Sequence, residues 1–269
     1  MKILHLTDIH FCLNYEPCDF GYKGMISKME NPLIYLKNCL NHVLSKTKLD
    51  LVLISGDLTE DGSPEDYRFL KMWLENELGE VPIVVTLGNH DIKTHFRQGW
   101  LEEEGTDLPY NVVKNFTDFV VISLDNAVYG LSDGHLAESQ FQWLESQLKG
   151  LDGKPIFLMT HHHLIENQSS VGHLPESKRL LYLIKNYSVT CVLNGHTHHA
   201  YTADIEGIQY YTGMGMSFVG EDEGAGFVRF DQRYGYNLYH VDQGKIIRQT
   251  TENFVPHKVI DRVNMRENH

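Results

Sequence analysis

Five short apolar runs in this chain are each followed by residues able to ligate a metal ion, and this repetition limits the folds open to it. KILHLT (2–7) leads to Asp8 and His10, and LDLVLIS (49–55) leads to Asp57. VPIVVTL (81–87) leads to Asn89, His90 and Asp91, PIFLM (155–159) to His161, and VTCVLN (189–194) to His196 and His198. Continuous apolar runs of this length read as strands buried on both faces, the pattern of parallel strands covered by helices. Open α/β sheets bind ligands beside the carboxyl ends of their strands, so five such strands would deliver these side chains to one edge. Packing alone gives no reason for that convergence.

The segments between the runs carry helical spacing. In NPLIYLKNCLNHVLSK (31–46), Asn31 serves as a cap and Pro32 takes the first helical position, with apolar residues at 33, 36, 40, 43 and 44. SPEDYRFLKMWLENEL (63–78) repeats the device with Ser63, Pro64 and a stripe of Leu70, Trp73, Leu74 and Leu78. Ala137, Phe141, Leu144 and Leu148 mark another helix, and Leu180, Leu181, Ile184 and Tyr187 a further one. After residue 200 the helical period stops. IQYYTGM, AGFVRF, GYNLYHV and KIIRQT read as short strands, with DQGK (242–245) as a hairpin loop and EDEG (221–224) as a solvated turn. The expected organisation is one α/β domain over 1–269. Strand–helix alternation fills 1–199, a β meander over 200–256 completes a second sheet, and 257–269 is a frayed tail.

Charge bears on the substrate. The 269 residues carry a formal charge of −13, which repels phosphate backbones and anionic membranes unless a local counter-field is present. Bound divalent metals would supply one. Stable nucleic-acid binding and membrane association are therefore not expected, while a small phosphorylated substrate stays open, as does a homo-oligomer. Cys12, Cys18, Cys39 and Cys191 form no CxxC pair, and their reading as free thiols places the chain in a reducing cytoplasm. The first residues are too broken by His5 and Asp8 for a signal peptide, and no run approaches the roughly 18 apolar residues of a membrane span.

Carboxylates, an amide and imidazoles without thiolates suit hard and borderline divalent ions such as Mn, Fe, Zn or Co. Asp57, with two oxygens, can serve two ions at once. Two ions about 3.5–4 Å apart can hold a hydroxide and neutralise a phosphoryl group during in-line attack. The set DIH (8–10), GDLTEDG (56–62), GNHD (88–91), His161 and GHTH (195–198), in that order, resembles the calcineurin-like metallophosphoesterases. The resemblance spans residues 8–198.

That resemblance implies a four-layer α-β-β-α sandwich of two mixed sheets flanked by helices, with a dinuclear metal site at the carboxyl edges of the strands. It implies one metal held by Asp8, His10, Asp57 and His198 and a second held by Asp57, Asn89, His161 and His196. His90 matches the residue that contacts the phosphate and assists the leaving group, and Asp91 is expected to orient it. One departure stands out: where family members often read GDxxDRG, this chain has Glu60 and then Asp61, so Glu60 competes with Asp91 for the orienting role.

GDLTEDGSPEDYRFL is most similar to the branch of class III cyclic-nucleotide phosphodiesterases and glycerophosphodiesterases. The activity implied is hydrolysis of small phosphodiesters by a metal-bridging hydroxide. A phosphomonoesterase, nucleotidase or nuclease of the same chemistry is the alternative. A non-catalytic metal-binding scaffold ranks last, because every ligand and His90 are present. Asn89, His90, His162 and His199 are the expected substrate contacts. Tyr15 and Tyr22, in the loop after His10, are offered for stacking on a nucleobase, against the plainer reading of a loop folded on its own aromatics. His5, inside the first strand, reads as a core histidine.

Overall fold

The computed structural model describes residues 1–151 and 153–267. Strands β1 (Lys2–Leu6), β2 (Leu51–Ser55) and β3 (Ile83–Thr86) run parallel. Between them come helix α1 (Gly21–Ser27), then α2 (Leu33–Leu44) and α3 (Pro64–Leu78), which return the chain to the start of each strand. A short helix α4 (Lys93–Phe96) then leads into the second sheet. That sheet has the order β4-β5-β6-β7-β9-β8. Its strands are β4 (Val112–Asn115), β5 (Val120–Ser123), β6 (Ile156–Met159), β7 (Val189–Asn194), β8 (Tyr201–Ile205) and β9 (Ile208–Thr212), and α5 (Glu138–Gly150) and α6 (Ser177–Ile184) join β5 to β6 and β6 to β7.

Alternation within the strands builds the layers. Ile3, Leu51 and Leu53 of the first sheet meet Phe157, Met159, Cys191 and Leu193 of the second in one buried cluster. Their neighbours Leu4, Leu6, Val52 and Ile54 point the other way, against Leu36, Leu40, Leu70 and Leu74 of α2 and α3. On the far side Ile156, Leu158 and Val192 pack under Phe141, Leu144, Leu180 and Ile184 of α5 and α6. The result is the four-layer α-β-β-α sandwich of two mixed sheets. Both faces of each central strand are covered, which is why those strands read as unbroken apolar runs. The predicted start of α3 holds, with Ser63 and Asp66 in a reciprocal capping box, whereas α2 begins one residue later than expected, at Leu33, whose N–H the Asn31 side chain accepts at 3.0 Å. Among the described residues no helix is long and apolar enough to cross a membrane.

The region after residue 200 departs from expectation. Its strands do not complete one sheet. β8 and β9 extend the second, whereas β12 (Tyr234–Asp242) lies antiparallel beside β1 in the first and β13 (Lys245–Phe254) pairs antiparallel with β12 at its edge. β10 (Val219–Gly224) and β11 (Phe227–Asp231) pair with β14 (Val259–Asn264) as a separate three-stranded sheet over α1. EDEG (221–224) therefore belongs to a strand rather than a turn, its charges matched by Arg233, Arg229 and Arg262. The expected frayed tail is likewise corrected over 259–264, where backbone pairing with β11 and burial of Val263 supply order that the polar sequence hides. Residues 268–269 of that tail lie outside the described residues.

His5 is fully buried between the Tyr239 hydroxyl at 3.0 Å and the Ser55 hydroxyl at 2.8 Å. Burial pushes its pKa down from 6.5 to about 3. The unfolded chain thus binds a proton here that the folded chain refuses, so stability is lost as pH falls below about 6.5 towards 3. One such proton corresponds to about 1.4 kcal/mol per pH unit. His5→Gln is expected to remove about that much slope from urea-unfolding free energies of the metal-free protein between about pH 6 and 4. An unchanged slope would show that the acid response arises elsewhere.

Candidate metal centre

Each predicted ligand sits where its strand ends and the backbone turns sharply. Asp8, His10, Asp57, His196 and His198 adopt positive φ (54°, 51°, 48°, 70° and 57°), a left-handed conformation that costs a non-glycine residue roughly 1–2 kcal/mol. Strain repeated at this many ligand positions is a mark of a built site. Gly88 shows how tight the packing is: a Cβ there would fall 2.1 Å from Asp57 Oδ1.

Two clusters result. In the first, His198 Nε2 lies 3.4 Å and His10 Nε2 4.0 Å from Asp8 Oδ1. In the second, Asp57 Oδ2 stands 3.3 Å from His161 Nε2. The same oxygen is 3.6 Å from His10 Nε2, so Asp57 faces both clusters. Its other oxygen accepts the backbone N–H of His90 at 2.9 Å.

The hydrogen-bond pattern fixes which imidazole nitrogen is free. His10 Nδ1 meets Glu60 Oε2 at 2.6 Å, His161 Nδ1 meets the Ser55 carbonyl at 2.8 Å, and His198 Nδ1 meets the Phe218 carbonyl at 2.7 Å. With those N–H groups donated, each Nε2 presents a lone pair to the interior, the tautomer a metal ligand needs. His10 Nε2 and His198 Nε2 then face each other at 3.2 Å. Two lone pairs at that separation call for a cation between them or a proton on one of them. His161 Nε2, His196 Nε2 and the Asn89 side-chain oxygen are buried with no hydrogen-bond partner. Orphaned buried groups cost roughly 1–3 kcal/mol each, and a divalent ion satisfies them together. The residues fit the expected metals.

Charge follows from the same contacts. Burial opposes ionisation of Asp57, but His161, His90 and His10 overcome it and hold the carboxyl well below its usual range. Burial also disfavours charge on His90, yet Glu60 and Asp57 raise its pKa well above 6.5. His90 Nδ1 is 3.1 Å from Glu60 Oε1 and 3.6 Å from Asp61 Oδ1. One carboxylate, Glu60, thus spans the expected metal ligand His10 and the expected acid His90.

Asp91 is elsewhere. Its oxygens accept the N–H groups of Leu58 (3.1 Å), Thr59 (3.2 Å) and Gly88 (2.8 Å) and the Tyr67 hydroxyl (2.9 Å). It ties the turns after β2 and β3 together and does not reach His90 as expected. Asp91→Ala should lower the free energy of urea unfolding by about 3 kcal/mol, since it orphans several buried donors at once. A change below about 1 kcal/mol would remove this bracing role.

A cleft of about 760 Å³ opens over the clusters, a size suited to a small ligand. His10, Asp57, Asn89, His90, His196 and His198 form its floor, with Tyr22, Phe218, Val228 and Phe230 as an apolar wall. Met265 and Arg266, from the segment expected to fray, close one side. Tyr22 also donates to Glu60 Oε2 at 3.1 Å. Tyr15 is not at the cleft; its hydroxyl donates to the His10 carbonyl at 2.6 Å and its ring packs with α1. His162 and His199, expected to touch substrate, do not line the cleft either. His162 is fully buried, and His199 turns outward, 3.6 Å from Glu221.

The sequence reading undervalued two residues. Glu60, offered there only as a rival to Asp91 beside His90, contacts both His10 and His90. Asn126 was missed, although it follows β5 as the ligands follow their strands; its side-chain oxygen accepts the N–H groups of His161 and His162 at 3.0 and 3.2 Å.

The family model for calcineurin-like phosphoesterases matches residues 1–200. A probable cyclic nucleotide phosphodiesterase of Rhodococcus erythropolis is 27% identical over 91% of this chain and 81% of its own length. A probable glycerophosphodiester phosphodiesterase of Arcobacter nitrofigilis is 33% identical over 62% of this chain and 63% of its own. In fold, a dimetal phosphatase from Danio rerio superposes with a TM-score of 0.58 at 12% identity, covering 93% of this chain and 98% of that one.

Proposed function

The chain belongs to the calcineurin-like phosphoesterase family, and from that premise we propose that it is a metal-dependent hydrolase of small phosphodiesters. Its substrates are 3′,5′-cyclic nucleotides or glycerophosphodiesters, the classes named for its relatives. The observation that carries the reading is the pair of clusters meeting at Asp57 Oδ2, with His90 beside them at the cleft floor. Asp8, His10, Asp57 and His198 would hold one divalent ion, and Asp57, Asn89, His161 and His196 another, of Mn, Fe, Zn or Co. Such ions, when bound, lower the pKa of water and neutralise phosphoryl charge.

The chain's own residues do the rest. Glu60 holds His10 in its ligand tautomer and keeps His90 charged. His90, partly exposed at the floor, donates a proton to the departing alkoxide. The apolar wall of Tyr22, Phe218 and Phe230 accommodates the organic arm of the diester.

The test compares bis(p-nitrophenyl) phosphate with p-nitrophenyl phosphate on metal-loaded protein. The diester is expected to show the higher kcat/KM by about tenfold or more, with turnover abolished by a chelator. A reversed ratio would make the chain a monoesterase, and no turnover of either would leave a binding scaffold.

A further inference from the structure

Beside the ligands assigned above lies one more imidazole without a task. His162 follows His161 at the end of β6 and is fully enclosed. Its Nδ1 lies 3.4 Å from the side-chain oxygen of Asn126, the acceptor that also holds the backbone of both histidines. With the proton on Nδ1, the lone pair is on Nε2, and that buried nitrogen has no hydrogen-bond partner. Nδ1 engaged and Nε2 without a partner is the arrangement found at His161, and His10 and His198 likewise engage Nδ1 and turn Nε2 inward.

Position agrees with chemistry. The ring centroid of His162 lies 5.0 Å from that of His161 and 4.4 Å from that of His196. One ligand atom from each of the three lies within 4.8 Å of the others. His163, next along the chain, is also buried, but its ring is 6.1 Å from His196 and it joins no such group. The turn opposite makes room for the His162 ring: Gly134 has φ +69°, and a Cβ there would fall 2.6 Å from His162 Nδ1.

We infer that His162 Nε2 is a further ligand of the second ion, which then draws imidazoles from His161, His162 and His196 beside Asp57 and Asn89. This rests on the dinuclear reading proposed above. It makes the two halves unlike. The first ion has two imidazoles and two carboxylates, a set that accepts harder ions, and the second becomes imidazole-rich, favouring Zn or Co over Mn.

Long-range proton–nitrogen spectra of ¹⁵N-histidine protein, before and after zinc, test the assignment, with His162→Gln identifying the His162 signals. On zinc addition His162 Nε2 should move into the metal-bound range together with those of His10, His161 and His198, as should the ligating nitrogen of His196. His162→Gln should also weaken the second zinc equivalent by more than about 100-fold, beyond the roughly 10–100-fold typical of a residue behind the ligands. The inference is overturned if His162 Nε2 stays at its metal-free position while the other histidines shift. If none shifts, the dinuclear reading falls with it. Should His162→Gln fail to fold, the number of zinc-shifted imidazole signals in the unaltered protein still decides.

Discussion

Asp57→Asn should cost the enzyme at least about 10³-fold in kcat on bis(p-nitrophenyl) phosphate, or about 4 kcal/mol of barrier. The side chains are nearly the same size, so the loss isolates charge and oxygen count from shape. Asp57 Oδ2 is 3.3 Å from His161 and 3.6 Å from His10, and Oδ1 accepts the His90 N–H. An amide can keep that last bond with its oxygen, but its NH₂ group then replaces the oxygen that faces both clusters. Metal content should fall along with activity if, as proposed, both ions share this residue. A variant that keeps two ions per chain and turns over within tenfold of the parent would show that Asp57 does not bridge them. Unchanged far-UV dichroism would separate this loss from misfolding.

How much of this was legible in the residues follows from where the signals lie. The strands that carry Asp8, Asp57, Asn89, His161 and His196 are buried on both faces, so their apolar runs are unbroken and their ends unmistakable. β10 and β14 have one solvated face and sequences such as VGEDEG and VIDRVN. Their order comes from pairing with β11 and from salt bridges to Glu223, which no periodicity reveals. Which side chains meet in the two clusters was readable because it depends on residue type at a strand end. The choice between Glu60 and Asp91 as the neighbour of His90 was not, since it depends on the direction of one side chain. Asp91 shows the converse: a carboxylate adjacent to the expected acid in sequence is spent on backbone N–H groups across the turn.

His90→Gln should be felt in proportion to how poor the leaving group is. Glu60 and Asp57 keep His90 charged despite its burial, so it has a proton to give at neutral pH. An alkoxide needs that proton and a nitrophenolate scarcely does. The substitution should therefore cost about 10²–10⁴-fold for diesters with an alcohol leaving group and less than about tenfold for bis(p-nitrophenyl) phosphate. A series of aryl diesters of rising leaving-group pKa would show a steeper dependence in the variant than in the parent. The pH profile adds an independent sign. His90 must be protonated to act, so activity on alcohol diesters falls as pH rises through its elevated pKa, and the variant loses that alkaline limb. Glu60→Gln removes the carboxylate 3.1 Å from His90 Nδ1 that helps hold this pKa up, so it should move the limb to lower pH while leaving His90 in place. An equal loss across the leaving-group series, with the alkaline limb intact, would assign His90 to phosphate binding instead of proton transfer.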